Sequence, residues 1–250
     1  MNSIEQTKAR DAAEPSPPLL TFLTKPGDGV GLLLAFCITM WSCFAMLWIW
    51  PDFAIRLLAP VENRELGAIE IVQVVSLIAI LSLAVAEAFR PGRRMGHKWL
   101  WGAMAAVAAF VFVEEIDYGL HFFDYLTGRP SFTTGFGGTW RNLHNQGGNN
   151  DFIKIVVFVP AIILFAIFPL VSRRSVKFGI ERRHALFFWF VVLSNVAMRM
   201  LFDSDGSPIP ESVMQESQAT WELVELGLYV LAWTFLAGWV QRNERSNQRG

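Results

Sequence analysis

The stretch GAIEIVQVVSLIAILSLAVAEAF, from Gly67 to Phe89, decides what kind of protein this is. It is longer than the roughly 20 apolar residues that carry an α-helix across about 30 Å of hydrocarbon. Yet it holds Glu70 and Gln73 near its start and Glu87 near its end. Five more stretches approach or reach the same length: 30–50, 99–118, 152–171, 185–202 and 221–240. The expected fold is therefore all-α, a polytopic membrane bundle of six transmembrane helices, with a long outer loop over 119–151 between the third and fourth.

Composition leaves little room for anything else. A 53% hydrophobic fraction, a mean hydropathy of +0.36 and 17% charged residues in 250 positions fit one membrane domain over 30–240. A polar, proline-bearing arm over 1–29 precedes it and a short tail over 241–250 follows. The arm has no short apolar run with a small-residue cleavage site, so the first span reads as an uncleaved anchor. A net charge of −1 with no basic face argues against a nucleic-acid partner. Cys37 and Cys43, both inside the first span, have neither metal-ligand spacing nor a place for a disulfide staple, and read as small core residues.

Lysines and arginines set the expected orientation. With a cytoplasmic amino terminus, fifteen of the 21 basic residues fall on inside segments, including Arg90, Arg93, Arg94, Lys98, Arg182, Arg183 and Arg242. The positive-inside bias then puts both termini in the cytoplasm, with alternation that fits six spans. Trp41, Trp48, Trp50, Trp99, Trp101, Trp140, Trp221 and Trp239 mostly lie near span ends, as an interfacial aromatic belt requires.

In that frame, polar groups from four spans reach one depth at the outer leaflet. The second span brings Glu70 and Gln73, the third ends in Glu114-Glu115-Ile116-Asp117, the fifth ends with Asn195 and Arg199, and the sixth opens with Glu222 and Glu225. Glu70 with Gln73, and Glu222 with Glu225, are i, i+3 pairs that share a helix face. Glu114, Asp117, His121 and Asp124 form one stripe if the third helix continues past Gly119. An acidic side chain facing lipid near the bilayer centre costs about 2.5–3.5 kcal/mol on insertion scales, so these carboxylates should face inward and be protonated, paired, hydrated or bound to a cation. The glycine-rich loop could fold back to deliver His144 above them, and a loop this long commonly has a binding role.

The pairing of Glu114-Glu115-Ile116-Asp117-Tyr118-Gly119 with a downstream Asn142-Leu143-His144-Asn145 resembles an uncharacterised bacterial family of multi-span membrane proteins. Their motifs are Glu-Glu-x-Ser-Trp-Gly-Gln and Asn-Leu-His-Asn. This chain has Asp117, Tyr118 and Leu120 where that pattern has serine, tryptophan and glutamine. The resemblance implies that the glutamate pair and His144 belong to one site; it implies no activity.

Three functions follow as expectations. The first is metal-dependent hydrolysis or group transfer on a lipid or lipid-linked substrate. Glu114, His121, His144, Glu222 and Glu225 would supply ligands to zinc, manganese or iron, and Glu115 or Asp117 the general base, since histidines with carboxylates and an open position activate water. Glu70, Gln73, Asn142, Asn195 and Arg199 would support it. The runner-up is a proton-coupled or cation transporter using the same carboxylates, with Pro160 and Pro169 breaking the fourth helix. The third is a non-catalytic membrane subunit that binds a partner protein through the outer loop. The expected location is a bacterial cytoplasmic membrane, with membrane lipid as partner or substrate. Asp203-Ser204-Asp205-Gly206 begins like a calcium loop but lacks its later ligands and reads as a turn.

Overall fold

The structure, a computed structural model, describes residues 26–60, 67–92, 95–116, 126–127, 159, 161–172, 180–203, 206–210, 213 and 219–248, with the side chains of 26–29 and 243–248 left aside. Among the described residues every regular element is helical. Seven helices are used below: α1 (Pro26–Ile49), α2 (Pro51–Leu58), α3 (Ala68–Ala88), α4 (Met95–Glu115), α5 (Ile162–Val171), α6 (Arg182–Phe202) and α7 (Ala219–Gln248). Five of them, α1, α3, α4, α6 and α7, are long and apolar enough to cross a membrane. The expected fourth span survives in the described residues only as the shorter apolar α5; residues 152–158 and 160, and most of the loop over 119–151, lie outside them.

Local chemistry explains the element boundaries. Proline cannot continue a helix that precedes it, and it restricts the residue before it. Trp50 accordingly leaves the helical region at φ −132°, ψ 65°, and Pro51 restarts the chain as the first residue of α2. This short helix was not foreseen. It buries Ala54, Ile55 and Leu58, exposes Phe53 and Leu57, and carries Asp52 in its first turn and Arg56 in its last, each charge complementing the helix dipole. Between α3 and α4 the chain reverses through Gly92, whose φ of +77° suits a residue without a Cβ. Within α5, Ile162–Ile167 is π-helical, and the Phe168 N–H reaches back five residues to the Ile163 carbonyl. Pro169 follows directly; it has no N–H, and its ring crowds the carbonyl four residues back, which favours a locally widened turn. The expected disruption by Pro169 is present in that form. The third helix ends at Glu115, with Ile116 already in a turn, so the stripe beyond Gly119 lies outside the described residues.

α7 is the hub. It packs against α3, α6 and α1, while α4 lies on α3 and is the least buried of the five long helices. Ring and polar contacts give the relative directions. Phe36 meets Phe187 at 5.5 Å and Trp48 meets Phe202 at 5.8 Å, so α1 and α6 run parallel. Trp101 stacks on Trp239 at 5.3 Å while Glu115 bonds Tyr229, so α4 runs against α7. His184 lies against Phe235 and Val191 against Gly227, so α6 also runs against α7. Gln73 meets Glu222 at one end of α3, and Ile80, Leu83 and Ala84 share a core with Trp233, Leu236 and Val240 farther along, so α3 and α7 run together.

One end of the bundle thus gathers the starts of α3 and α7 and the ends of α1, α4 and α6. The other end gathers Arg90, Lys98, Arg182, Arg183 and Arg242. A second core joins α1, α2, α6 and α7 near the first end, around Phe44, Leu47, Phe202 and Leu223. The 30 residues of α7 extend about 45 Å, past the thickness of the hydrocarbon, so the segment expected as a tail continues the helix through Gln248.

Candidate functional site: a carboxyl and tyrosine cluster on the hub helix

The site lies where α3, α4 and α7 meet at the acidic end. Glu70 and Gln73 are one turn apart on α3 and both are buried, Gln73 completely. The Gln73 Nε2 group donates to the backbone carbonyl of Glu222 at 2.9 Å and to Glu222 Oε2 at 3.1 Å. Glu222, Glu115 and Glu225 lie within electrostatic reach of the buried Glu70 carboxyl. From the far side, the Tyr229 hydroxyl donates to Glu115 Oε1 at 2.6 Å. A charge-assisted bond of this kind is among the stronger ones.

Helical spacing builds the α7 side. Glu222, Glu225 and Tyr229 stand at i, i+3 and i+7, one stripe on the face toward α3 and α4. Gly227 allows α7 to approach closely on its other side. A Cβ built there would sit 3.0 Å from Val191 Cγ1 and 3.3 Å from Phe36 Cε1, so only hydrogen fits without displacement. Small residues at crossings of this kind let membrane helices reach each other's backbones.

Five of the expected residues, Glu70, Gln73, Glu115, Glu222 and Glu225, come together. Glu114 is also buried, but consecutive helical residues point about 100° apart, so it does not share the face of Glu115. Asn195 is buried on α6, one turn beyond Val191 toward the acidic end, and its Oδ1 has no hydrogen-bond partner. Arg199 is exposed and forms no ion pair among the described residues. Asp117, His121, Asn142 and His144 lie outside the described residues.

Sequence reading missed two polar groups. Tyr229 was detectable, four residues beyond Glu225 on the same stripe. His184 was not, since its role depends on a cap: the Glu181 N–H donates to His184 Nδ1 at 2.9 Å while the Glu181 side chain caps the start of α6. That accepting Nδ1 fixes the neutral tautomer with its hydrogen on Nε2, a buried atom with no partner. Arg242 on α7 reaches Glu181 Oε1 at 3.1 Å, joining α6 to α7 at the basic end.

Among the described residues no three His, Cys, Asp or Glu side chains group as a metal ion needs. The carboxylates that do converge face donors: Gln73 Nε2 on Glu222, Tyr229 hydroxyl on Glu115. No protein-family model, curated protein or solved structure matches the chain, so the meaning of the site rests on its own residues.

Proposed function

We propose that this chain is a multi-pass membrane protein whose Glu70–Glu222 pair holds a proton in the service of proton-coupled or cation transport. The burial of Glu70 one turn from Gln73, which itself bonds the buried Glu222, carries this reading. A buried carboxyl pair sharing a proton is a usual component of membrane proton relays, and intramembrane ionisable groups mark ion pathways by default. Toward the basic end, Thr234 and His184 are further buried polar side chains on α7 and α6. In the cycle so assigned, a proton enters at the acidic end, bridges Glu70 and Glu222, and leaves when the pair is separated or its charge is compensated.

The acidic end faces outward in this reading, because Arg90, Lys98, Arg182, Arg183 and Arg242 sit at the opposite end, the cytoplasmic one under the positive-inside bias. An alkaline phosphatase fusion after Asn149 is then active in a bacterial host, and an inactive one reverses the assignment.

Infrared spectroscopy of the purified protein in lipid nanodiscs tests the proton directly. The expected result is a carbonyl-stretch band of a protonated carboxylic acid at neutral pH that weakens in Glu70→Gln. In proteoliposomes with an internal pH-sensitive dye, a cation gradient should move protons, and Glu70→Gln should abolish the movement. Absence of the band overturns the reading. So does stoichiometric zinc, manganese or iron that is lost in His144→Ala, which would restore lipid hydrolysis by a metal site that includes His121 and His144.

A further inference from the structure

At the basic end, one acid answers two arginines. Arg183 Nε stands 3.1 Å from Glu181 Oε2, Arg183 Nη2 donates to Oε1 at 3.3 Å, and Arg242 Nη1 donates to the same Oε1 at 3.1 Å. Two positive charges against one negative leave these three side chains with a net charge of +1, and each is about one-third exposed. Arg182 stands beside them, exposed, on the first turn of α6.

The posture of Arg242 is a second observation. Side chains lean toward the start of their helix, which on α7 is the direction of the hydrocarbon. Arg242 follows that lean: its Nη2 lies 3.4 Å, and its Cζ and Nη1 3.9 Å, from where a Cβ on Gly238 would sit. The missing side chain at 238 leaves a ledge for the guanidinium, one turn nearer the hydrocarbon than its own Cα.

Below that ledge the same face is apolar. Phe235, Trp239 and Arg242 stand at i, i+4 and i+7 on one stripe, and all three are only half-buried. Trp239 stacks on Phe235 at 6.1 Å and on Trp101 of α4 at 5.3 Å, while Phe235 meets Phe165 of α5 at 5.6 Å. α7 thus carries a strip, touched by α4 and α5, that is aromatic within the hydrocarbon and cationic at its rim.

A soluble anion would use only the rim, and a neutral lipid only the strip. One phosphodiester with acyl chains uses both. Its single negative charge balances the +1, its oxygens suit the planar donor forks of arginine, and its chains lie along Trp239 and Phe235. Basic pockets between membrane helices on the cytoplasmic side are a general form of anionic-lipid site.

We infer that Arg183 and Arg242, above the Trp239 and Phe235 strip, bind the headgroup phosphate of one anionic phospholipid. It comes from the leaflet at the basic end, the cytoplasmic one in the orientation proposed above. The site lies at the opposite end of the bundle from Glu70 and does not depend on the proton there.

The full chain in detergent, titrated with phosphatidylglycerol and followed by native mass spectrometry and thermal melting, tests it. The wild type should retain one phosphatidylglycerol per chain, with a rise in melting temperature that phosphatidylcholine of the same chain length does not give. Each arginine near a membrane surface contributes about fivefold to anionic-lipid affinity, so Arg183→Gln and Arg242→Gln together should weaken retention about thirtyfold. Glu181→Gln raises the net charge of the cluster by one and should tighten retention about fivefold, a change that loss of fold cannot mimic. Arg199→Gln, which removes an exposed arginine at the acidic end, should bind as the wild type does. The site is overturned if the wild type retains both lipids equally, if the double arginine variant retains phosphatidylglycerol as the wild type does, if Glu181→Gln weakens retention, or if Arg199→Gln weakens it as much as the double variant. Displacement of the lipid by glycerol phosphate at equal concentration also overturns it, since the aromatic strip would then contribute nothing.

Discussion

Replacing Gln73 by leucine and Glu222 by alanine, singly and together, measures the link that defines the site. Gln73 Nε2 makes two bonds, one to the Glu222 backbone oxygen at 2.9 Å and one to its Oε2 at 3.1 Å. Gln73→Leu removes both, but it also removes the burden of the buried, unpartnered Oε1. A bond to a charged group contributes roughly 1.5–3 kcal/mol in general, and relieving an orphaned buried acceptor returns about 1–3 kcal/mol, so the single variant should lose only about 0–1 kcal/mol. The double-mutant cycle cancels that relief. Because the backbone bond survives in Glu222→Ala, the coupling energy reports the 3.1 Å side-chain bond alone. Interhelical bonds in membrane proteins average about 0.6 kcal/mol with a maximum near 1.7, and the partial charge here favours the upper half, about 1 kcal/mol. Detergent-driven unfolding followed by tryptophan fluorescence gives the four free energies. A coupling below about 0.3 kcal/mol would refute the claim that Gln73 and Glu222 clamp α3 to α7.

Tyr229→Phe removes the 2.6 Å bond to Glu115 and should cost about 1–2 kcal/mol of stability in the same assay, with most of that loss absent when Glu115 is already alanine. Gly227→Val places branched carbons where a bare Cβ already meets Val191 at 3.0 Å and Phe36 at 3.3 Å; a loss of about 1–3 kcal/mol, or failure to yield a cooperative melt, is expected, and a wild-type melt would contradict the packing described. Arg242→Ala breaks the 3.1 Å pair with Glu181, whose partners are about one-third exposed, so its effect should be no more than about 1 kcal/mol and should shrink in high salt.

The outlines of the bundle were legible in the chain because they depend on short-range properties. Hydropathy over a window of about 20 residues reports the transfer of one helix into hydrocarbon, and each helix settles that largely by itself. The i, i+3 pairs Glu70/Gln73 and Glu222/Glu225 were equally readable, since helical geometry alone puts them on common faces. Even the disturbance near Pro169 was local, a consequence of one missing N–H, although its π-helical form was not foreseen.

What the sequence could not decide were rotations and partners. Arg199 and Glu70 both read as candidates for the polar end, yet α6 turns Arg199 outward while α3 turns Glu70 into the bundle. Glu114 and Glu115 are adjacent in the chain, and only the placement of α4 beside Tyr229 selects Glu115 for the cluster. The sequence by itself determined a membrane protein of apolar helices with carboxylates collected at one end. The tertiary structure decided that α7 is the hub, that Glu70 and Gln73 turn into the bundle beside Glu222, and that Gln73 bonds Glu222. The reason is physical: a helix's fit to lipid is a sum over its own residues, whereas the face it turns inward is set by close approaches such as Gly227 against Val191 and Phe36, which exist only between helices.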